Sequence, residues 1–374
     1  KFMINEARLL QQFLELVKIN SPTNNEREIA DYLKGKLIAL GLSVFEDNVG
    51  AKIGGNAGNI FALLPGNISA PRLLFSAHMD CVAPCLNVKP QVYADKITSD
   101  QTTILGADDK AGIAPILEAL QTIIKQNIPH GDIQIIFTVS EEVSLKGSKN
   151  LDPNLLKADL GYVLDSSGRP GTIITKAPSQ NKLKFSVRGK TAHAGIDPEN
   201  GINAISVASK ACAKIPVGRI DHETTANIGL ISGGWATNIV PNLVEVICET
   251  RSLSTEKLKY QTDLMIDIFK TTAVANNTTV DITSKNLYSA FTLTESSAVI
   301  ALAKAATNAL NLTPRRTSTG GGSDANYFNT YNVPCAVLGI GMQKVHTNEE
   351  FILLEDLYNN AKLICEIIKT APYL

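Results

Sequence analysis

Two histidines and three carboxylates, far apart in the chain, are of the types that can hold a pair of metal ions. They are His78 in FSAHMD, Asp108 in LGADDKAG, Glu142 in TVSEEVS, Asp165 in YVLDSS and His346 in QKVHTNEE. Each follows or faces an apolar run that reads as a buried strand or a short turn, and dinuclear sites are built from the ends of several strands rather than from one contiguous motif. At the end of LLFSA, His78 and Asp80 project to the same side of a strand, where Asp80 would accept the second imidazole N–H and fix its tautomer. Taken alone, the same residues describe a surface histidine beside a capping aspartate. Asp108 and Asp109 open a helix, where acids are favoured by the helix dipole, or else Asp108 bridges two cations. Glu141 and Glu142 repel each other unless something positive lies near, so one would bind metal and the other accept a proton from an activated water. An isolated pair of this kind is as readily two solvated loop acids.

Composition narrows the classes. The chain has 374 residues, 44% of them apolar, which suits two domains with a sizeable core. A net charge of -1 offers no field for nucleic acid or an anionic membrane. The apolar run IQIIFTV at 133–139 is far too short to span a bilayer. Charged residues interrupt positions 1–20, so no signal-peptide core is expected there, and Lys1 and Phe2 read as additions ahead of Met3. Six scattered cysteines do not make a disulfide framework and read as free buried thiols of a cytoplasmic protein. Cys81 and Cys85 lie near His78, but their spacing does not favour a thiolate zinc site.

The elements that must position these residues come in two styles. Helical periodicity covers 4–19, and Thr23 with Glu26 suggests a capping box for a helix over 24–40. Short strands follow at 43–47, 59–64 and 72–77, then an amphipathic helix at 109–126 and buried strands at 133–139 and 160–165. This alternation predicts an α/β three-layer domain. From about residue 180 the order becomes strand 182–189, helix 201–214, strands 224–231 and 243–251, helix 256–275 and strand 279–286. That β-α-β-β-α-β order is a ferredoxin-like α+β domain with one open sheet face. Helix 296–310, strand 334–338 and helix 355–369 return to the first style. The expected division is therefore 1–178 with 290–374, and an inserted 179–289. His130 and His222 match no site motif and read as surface residues.

The joint order of HMD, GADDKAGIA, SEE, LDSS, TAHAG-DPENGINAI, TNIVP, GGGSDAN and HTNEEF resembles the M20 family of metallopeptidases, most closely its peptidase T-like, tripeptide aminopeptidase branch. The resemblance implies a zinc-exopeptidase-like catalytic domain with an inserted lid or dimerisation domain, and two Zn2+, with Co2+ or Mn2+ also acceptable. It places His78 and Asp165 on one metal, Glu142 and His346 on the other, and Asp108 between them, followed by a cis peptide. Asp80 would orient His78 and Glu141 would be the general base. His193 in the AHAG motif would stabilise the oxyanion from a closed lid or across a dimer. Asn238 and Arg251 would grip the substrate backbone, with Gly321, Gly322 and Ser323 offering backbone N–H groups. The implied activity is removal of the N-terminal residue from short peptides; the exposed face of the inserted sheet suggests a homodimer through that domain but leaves dimer and monomer both open. A carboxypeptidase or N-acyl-amino-acid deacylase on the same fold, and a non-catalytic peptide-binding scaffold, are the other readings.

Overall fold

A computed structural model describes residues 4–373; Lys1 and Phe2 lie outside the described residues. The chain divides into two compact units. The larger comprises residues 1–176, 292–319 and 323–374, and the smaller comprises 177–291 with 320–322.

The larger unit is built on a mixed sheet. Its strands run in the order Ser43–Glu46, Ile60–Leu64, Ile133–Thr138, Leu73–His78, Leu160–Val163, Cys335–Leu338 and Thr172–Ala177, with Arg315–Ser318 also pairing with Thr172–Ala177. The four central strands, Ile133–Thr138 to Cys335–Leu338, are mutually parallel. Every residue of IQIIFT and LLFSAH is buried, which is why these segments carry no polar alternation. Helices Glu6–Lys18, Ala107–Lys125, Ala298–Ala309 and Leu354–Thr370 pack together against the sheet, and the short helices Val49–Ile53, Lys146–Asn150 and Asp324–Thr330 form a second packed group. Among the described residues no helix is long and apolar enough to cross a membrane.

Three local expectations give way. The helix over Ala107–Lys125 is not amphipathic: it is buried on nearly every side, Lys110 and Glu118 included, because the sheet and two further helices enclose it. Lys110 Nζ donates to the Ile19 carbonyl (2.9 Å), and Glu118 pairs with Arg8 (2.7 Å). No capping box forms at Thr23. Helix Arg27–Ala39 starts from Glu26, whose side chain caps nothing, and the Thr23 hydroxyl donates to Asp80 instead (2.8 Å). His130 is buried rather than on the surface, with its backbone N–H donating to Asn67 Oδ1 (2.8 Å). His222 is exposed as expected.

The smaller unit is an antiparallel sheet in the order Gly218–Arg219, Thr224–Gly233, Leu243–Ser252, Ser179–Arg188, Val280–Tyr288. Leu243–Ser252 alternates between buried and half-buried positions, so one face packs and the other stays open. Val244, Val246, Leu183, Phe185 and Val187 meet Val207, Ala208, Met265 and Phe269 of helices Ala204–Cys212 and Thr255–Ala275. The rings of Phe185 and Phe269 stack at 3.9 Å. Gly320–Gly322 belong with this unit rather than with the larger one. A Cβ on Gly322 would fall 2.3 Å from the Tyr288 ring, so close packing, not a special φ, requires glycine there.

Candidate metal centre

Site residues gather at the carboxyl ends of the parallel strands, where ligands bind in other open α/β sheets. His78 ends its strand, and Asp165 lies two residues beyond Val163. Asp108 sits at a kink where the helix begins, with non-helical backbone at both Asp108 and Asp109 and a cis peptide bond between them. Gly112 lets this helix approach the segment bearing Asp165: a Cβ there would lie 2.5 Å from the Leu164 carbonyl oxygen. Glu141 and Glu142 follow Ser140, which holds a left-handed φ of 51°.

Donor atoms gather in two trios that share Asp108. His78, Asp108 and Asp165 bring ligand atoms within 4.8 Å of one another, and so do Asp108, Glu142 and His346. His78 Nε2 lies 3.0 Å from Asp108 Oδ1, while His346 Nε2 lies 3.3 Å from Asp108 Oδ2 and 3.1 Å from Glu142 Oε1. One oxygen of Asp108 thus faces each imidazole.

The electrostatics are those of a cage short of positive charge. Burial, and then the charge of Asp108, push the Asp165 carboxyl well above the usual range; burial, and then the charge of Asp165, do the same to Glu141. Burial works against a charged His78, but hydrogen bonds to Asp108 and Asp80 outweigh it and raise its pKa well above normal. Hydrogen bonds to Asp108 and Glu142 carry His346 to about 10. Asp108 is depressed: burial opposes its charge, but hydrogen bonds from both imidazoles prevail. Two cations would offset the gathered carboxylate charge, and a mixed imidazole and carboxylate donor set suits zinc, cobalt or manganese. The residues fit a two-metal centre.

Asp80 has more partners than a histidine-orienting role requires. His78 Nδ1 has the Asp80 backbone carbonyl at 2.9 Å and the Asp80 carboxylate at 3.4 Å. That carboxylate accepts from the backbone N–H of Glu141 (2.9 Å) and of Glu142 (3.3 Å), and from Thr23. Further carboxylates hold neighbouring turns. Glu26 accepts from the Ser140 backbone N–H (3.0 Å), Asp109 from that of His78 (3.0 Å), and Glu350 from those of Gly106 (2.7 Å) and Asp108 (2.9 Å). Burial pushes Glu350 up to about 7. None of Glu26, Asp109 or Glu350 stood out as a site residue in the sequence. Glu350 lies within HTNEEF, directly ahead of the apolar FILL, where a charge is costly unless satisfied.

Cys81 and Cys85 are buried free thiols; burial raises both, Cys81 to about 12, so neither is a ready thiolate ligand. The six cysteines are free, and Cys212 is only half-buried.

In the smaller unit His193 and Asn238 are neighbours: the Ala194 N–H donates to the Asn238 carbonyl (2.9 Å), and His193 bridges to Ile239. His193 Nδ1 accepts from the backbone N–H of Gly195 and Ile196 (both 3.1 Å), which leaves Nε2 of this exposed residue as the donor nitrogen of the neutral ring. Arg251 is held along one edge by Glu249, through Nε (2.9 Å) and Nη2 (3.2 Å), with Nη1 3.4 Å from the Tyr288 hydroxyl. Ser323, in the larger unit, starts helix Asp324–Thr330, its N–H donating to Asn326 Oδ1 (3.0 Å).

A mixed α/β unit with two imidazole–carboxylate trios sharing one aspartate is an arrangement that suits a metallohydrolase. Residues 74–370 match the model of peptidase family M20/M25/M40. The chain belongs to this family and is a metallopeptidase of its peptidase T-like branch. It is similar to a tripeptidase of Staphylococcus aureus, 43% identical over 100% of both chains with a TM-score of 0.95. It is also similar to the aminopeptidase PepT of Bacillus cereus, 43% identical over 98% of this chain and 99% of that one, TM-score 0.90. The uncharacterised Bacillus subtilis protein YqjE is 42% identical over 99% of this chain and 100% of its own length.

Proposed function

We propose that this chain is a two-metal aminopeptidase that releases the N-terminal residue of short peptides, tripeptides above all. The observation that carries the reading is the division of Asp108, one oxygen towards each imidazole. The names of the Staphylococcus aureus and Bacillus cereus relatives support the substrate class. His78 and Asp165 would hold one cation, Glu142 and His346 the other, and Asp108 both. Bound there, a pair of zinc ions (or cobalt or manganese) would lower the pKa of a water and polarise the scissile carbonyl. Glu141, on the turn held by Asp80 and Glu26, takes the proton from the attacking water and passes it to the leaving amine. Asp80 supports that turn and His78 together. His193 donates from Nε2 to the oxyanion, a contribution of about 3–4 kcal/mol in comparable sites. Asn238 and Arg251 hold the peptide backbone, together with backbone N–H groups at Gly321 and Gly322, while the Ser323 N–H is taken by Asn326.

The smaller unit also offers a surface for a homodimer. Gly218–Arg219 covers only the start of strand Thr224–Gly233, leaving an open edge beside Leu230 and Ile231, which are 64% and 53% exposed, and near Trp235 at 78%. In this reading the enzyme works in the cytoplasm, consistent with six free thiols. The deciding experiment is a panel of di-, tri- and tetrapeptides plus an N-acetyl amino acid and a peptide blocked at its N-terminus, with product analysis. Release of the first residue from the tripeptide at the highest kcat/KM is expected. Preferential hydrolysis of the N-acetyl amino acid, or release of the C-terminal residue, would replace the proposal with a deacylase or a carboxypeptidase.

A further inference from the structure

Glu350 is fully buried, and the partners of its carboxylate are backbone amides rather than a cation. Oε1 accepts from Asp108 N–H at 2.9 Å and Oε2 from Gly106 N–H at 2.7 Å. These N–H groups lie at the kinked helix start, where no preceding turn can take them. Glu350 also sits four residues after His346 in the same loop, and its own N–H donates to the Thr347 carbonyl (3.1 Å). One side chain thus ties the segment bearing Asp108 to the segment bearing His346. A carboxylate is suited to this because it offers two acceptor oxygens and no donor; a glutamine would turn an NH2 against one of the amides.

We propose that Glu350 is a positioning residue that sets Asp108 against His346 and thereby shapes the metal position formed by Asp108, Glu142 and His346. The proposal rests on the two-metal reading above. A merely structural role has a built-in comparison in Glu118. Glu118 is also fully buried and lies on the helix that Asp108 opens, about 15 Å further along it. It accepts from the Asn5 N–H and pairs with Arg8, away from the ligands.

The test is zinc calorimetry on metal-free wild type, Glu350→Gln, Glu350→Asp and Glu118→Gln, with thermal melts over a zinc series. Wild type and Glu118→Gln should show two binding events of equal affinity in the two proteins, whatever Glu118→Gln does to the melting temperature of the metal-free form. Glu350→Gln should keep one event and lose about 10–100-fold in the other, the usual effect of removing a group that orients a metal ligand. Glu350→Asp, which keeps the charge but is too short to reach both amides, should show the same selective loss, and it decides the matter if Glu350→Gln fails to fold. Two events of wild-type affinity in the Glu350 variants would overturn the proposal. Absence of two events in wild type would instead overturn the two-metal reading.

Discussion

The sharpest consequence of the site geometry concerns Asp80→Asn. The carboxylate accepts from Glu141 N–H at 2.9 Å, Glu142 N–H at 3.3 Å and the Thr23 hydroxyl at 2.8 Å. The nearest partner of His78 Nδ1 is the Asp80 backbone carbonyl at 2.9 Å, which the substitution leaves in place. An asparagine can keep its oxygen towards Glu141, but its NH2 then opposes the Glu142 N–H, while the Thr23 hydroxyl can turn and accept. One ionic hydrogen bond becomes a neutral one and another is lost, about 1–3 kcal/mol on the turn that carries the proton acceptor. Expressed fully in the transition state, that is a fall in kcat of about 5–150-fold. Were the carboxylate chiefly a tether for His78, zinc affinity would fall about 10–100-fold; with the carbonyl still in place it should fall less than about 5-fold. The assays are kcat on a tripeptide at saturating zinc and zinc affinity by competition with a chelating dye. A 100-fold loss of zinc affinity with kcat intact at saturating metal would refute the reasoning.

Other outcomes follow from the same geometry. Glu141→Gln keeps the shape of the side chain but cannot accept the proton; kcat should drop about 10²–10⁴-fold with the metal content of the purified protein unchanged, and a kcat near wild type would remove Glu141 from the base role. Glu46 opposes its own burial with hydrogen bonds from Arg27, Gly58 and Lys34, which hold it at about 2 against an ordinary 4.5. A depressed carboxylate contributes stability that is full above the unfolded value and lost as the pH falls towards the folded one. Urea melts of Glu46→Gln should therefore show wild type ahead at pH 6, with the gap closing as the pH falls from about 4.5 towards 2; a gap independent of pH would contradict the assignment. Chelation should lower the melting temperature, and zinc should restore it in proportion to the logarithm of its concentration; a melting point indifferent to chelation would mean that no cation stabilises the fold.

How much of this was legible in the sequence depends on how far each signal travels along the chain. Continuous apolar runs such as IQIIFT marked the central strands because burial on both faces leaves no polar alternation. The β-α-β-β-α-β order likewise marked a sheet with one open face, as the burial of Leu243–Ser252 shows. The helix expected to be amphipathic over 109–126 was harder: Lys110 and Glu118 are each buried on a partner about a hundred residues away, the Ile19 carbonyl and Arg8. Thr23 misled for the same reason, since a local capping pattern gave way to a buried acid at Asp80. At the site, residue types and motif order brought forward the side chains that now form two trios. The supports, Glu26, Asp109 and Glu350, lay within noted patterns but drew no site role, because what they hold are backbone amides, and an amide has no letter in a sequence.

Two cations sharing Asp108 are the centre of the proposed chemistry. Diffraction at the zinc absorption edge from crystals of the zinc-loaded protein locates them directly. The expected result is two anomalous peaks, one beside His78 and Asp165 and one beside Glu142 and His346, with Asp108 between. A single peak, or density at Cys81 and Cys85 instead, would contradict it.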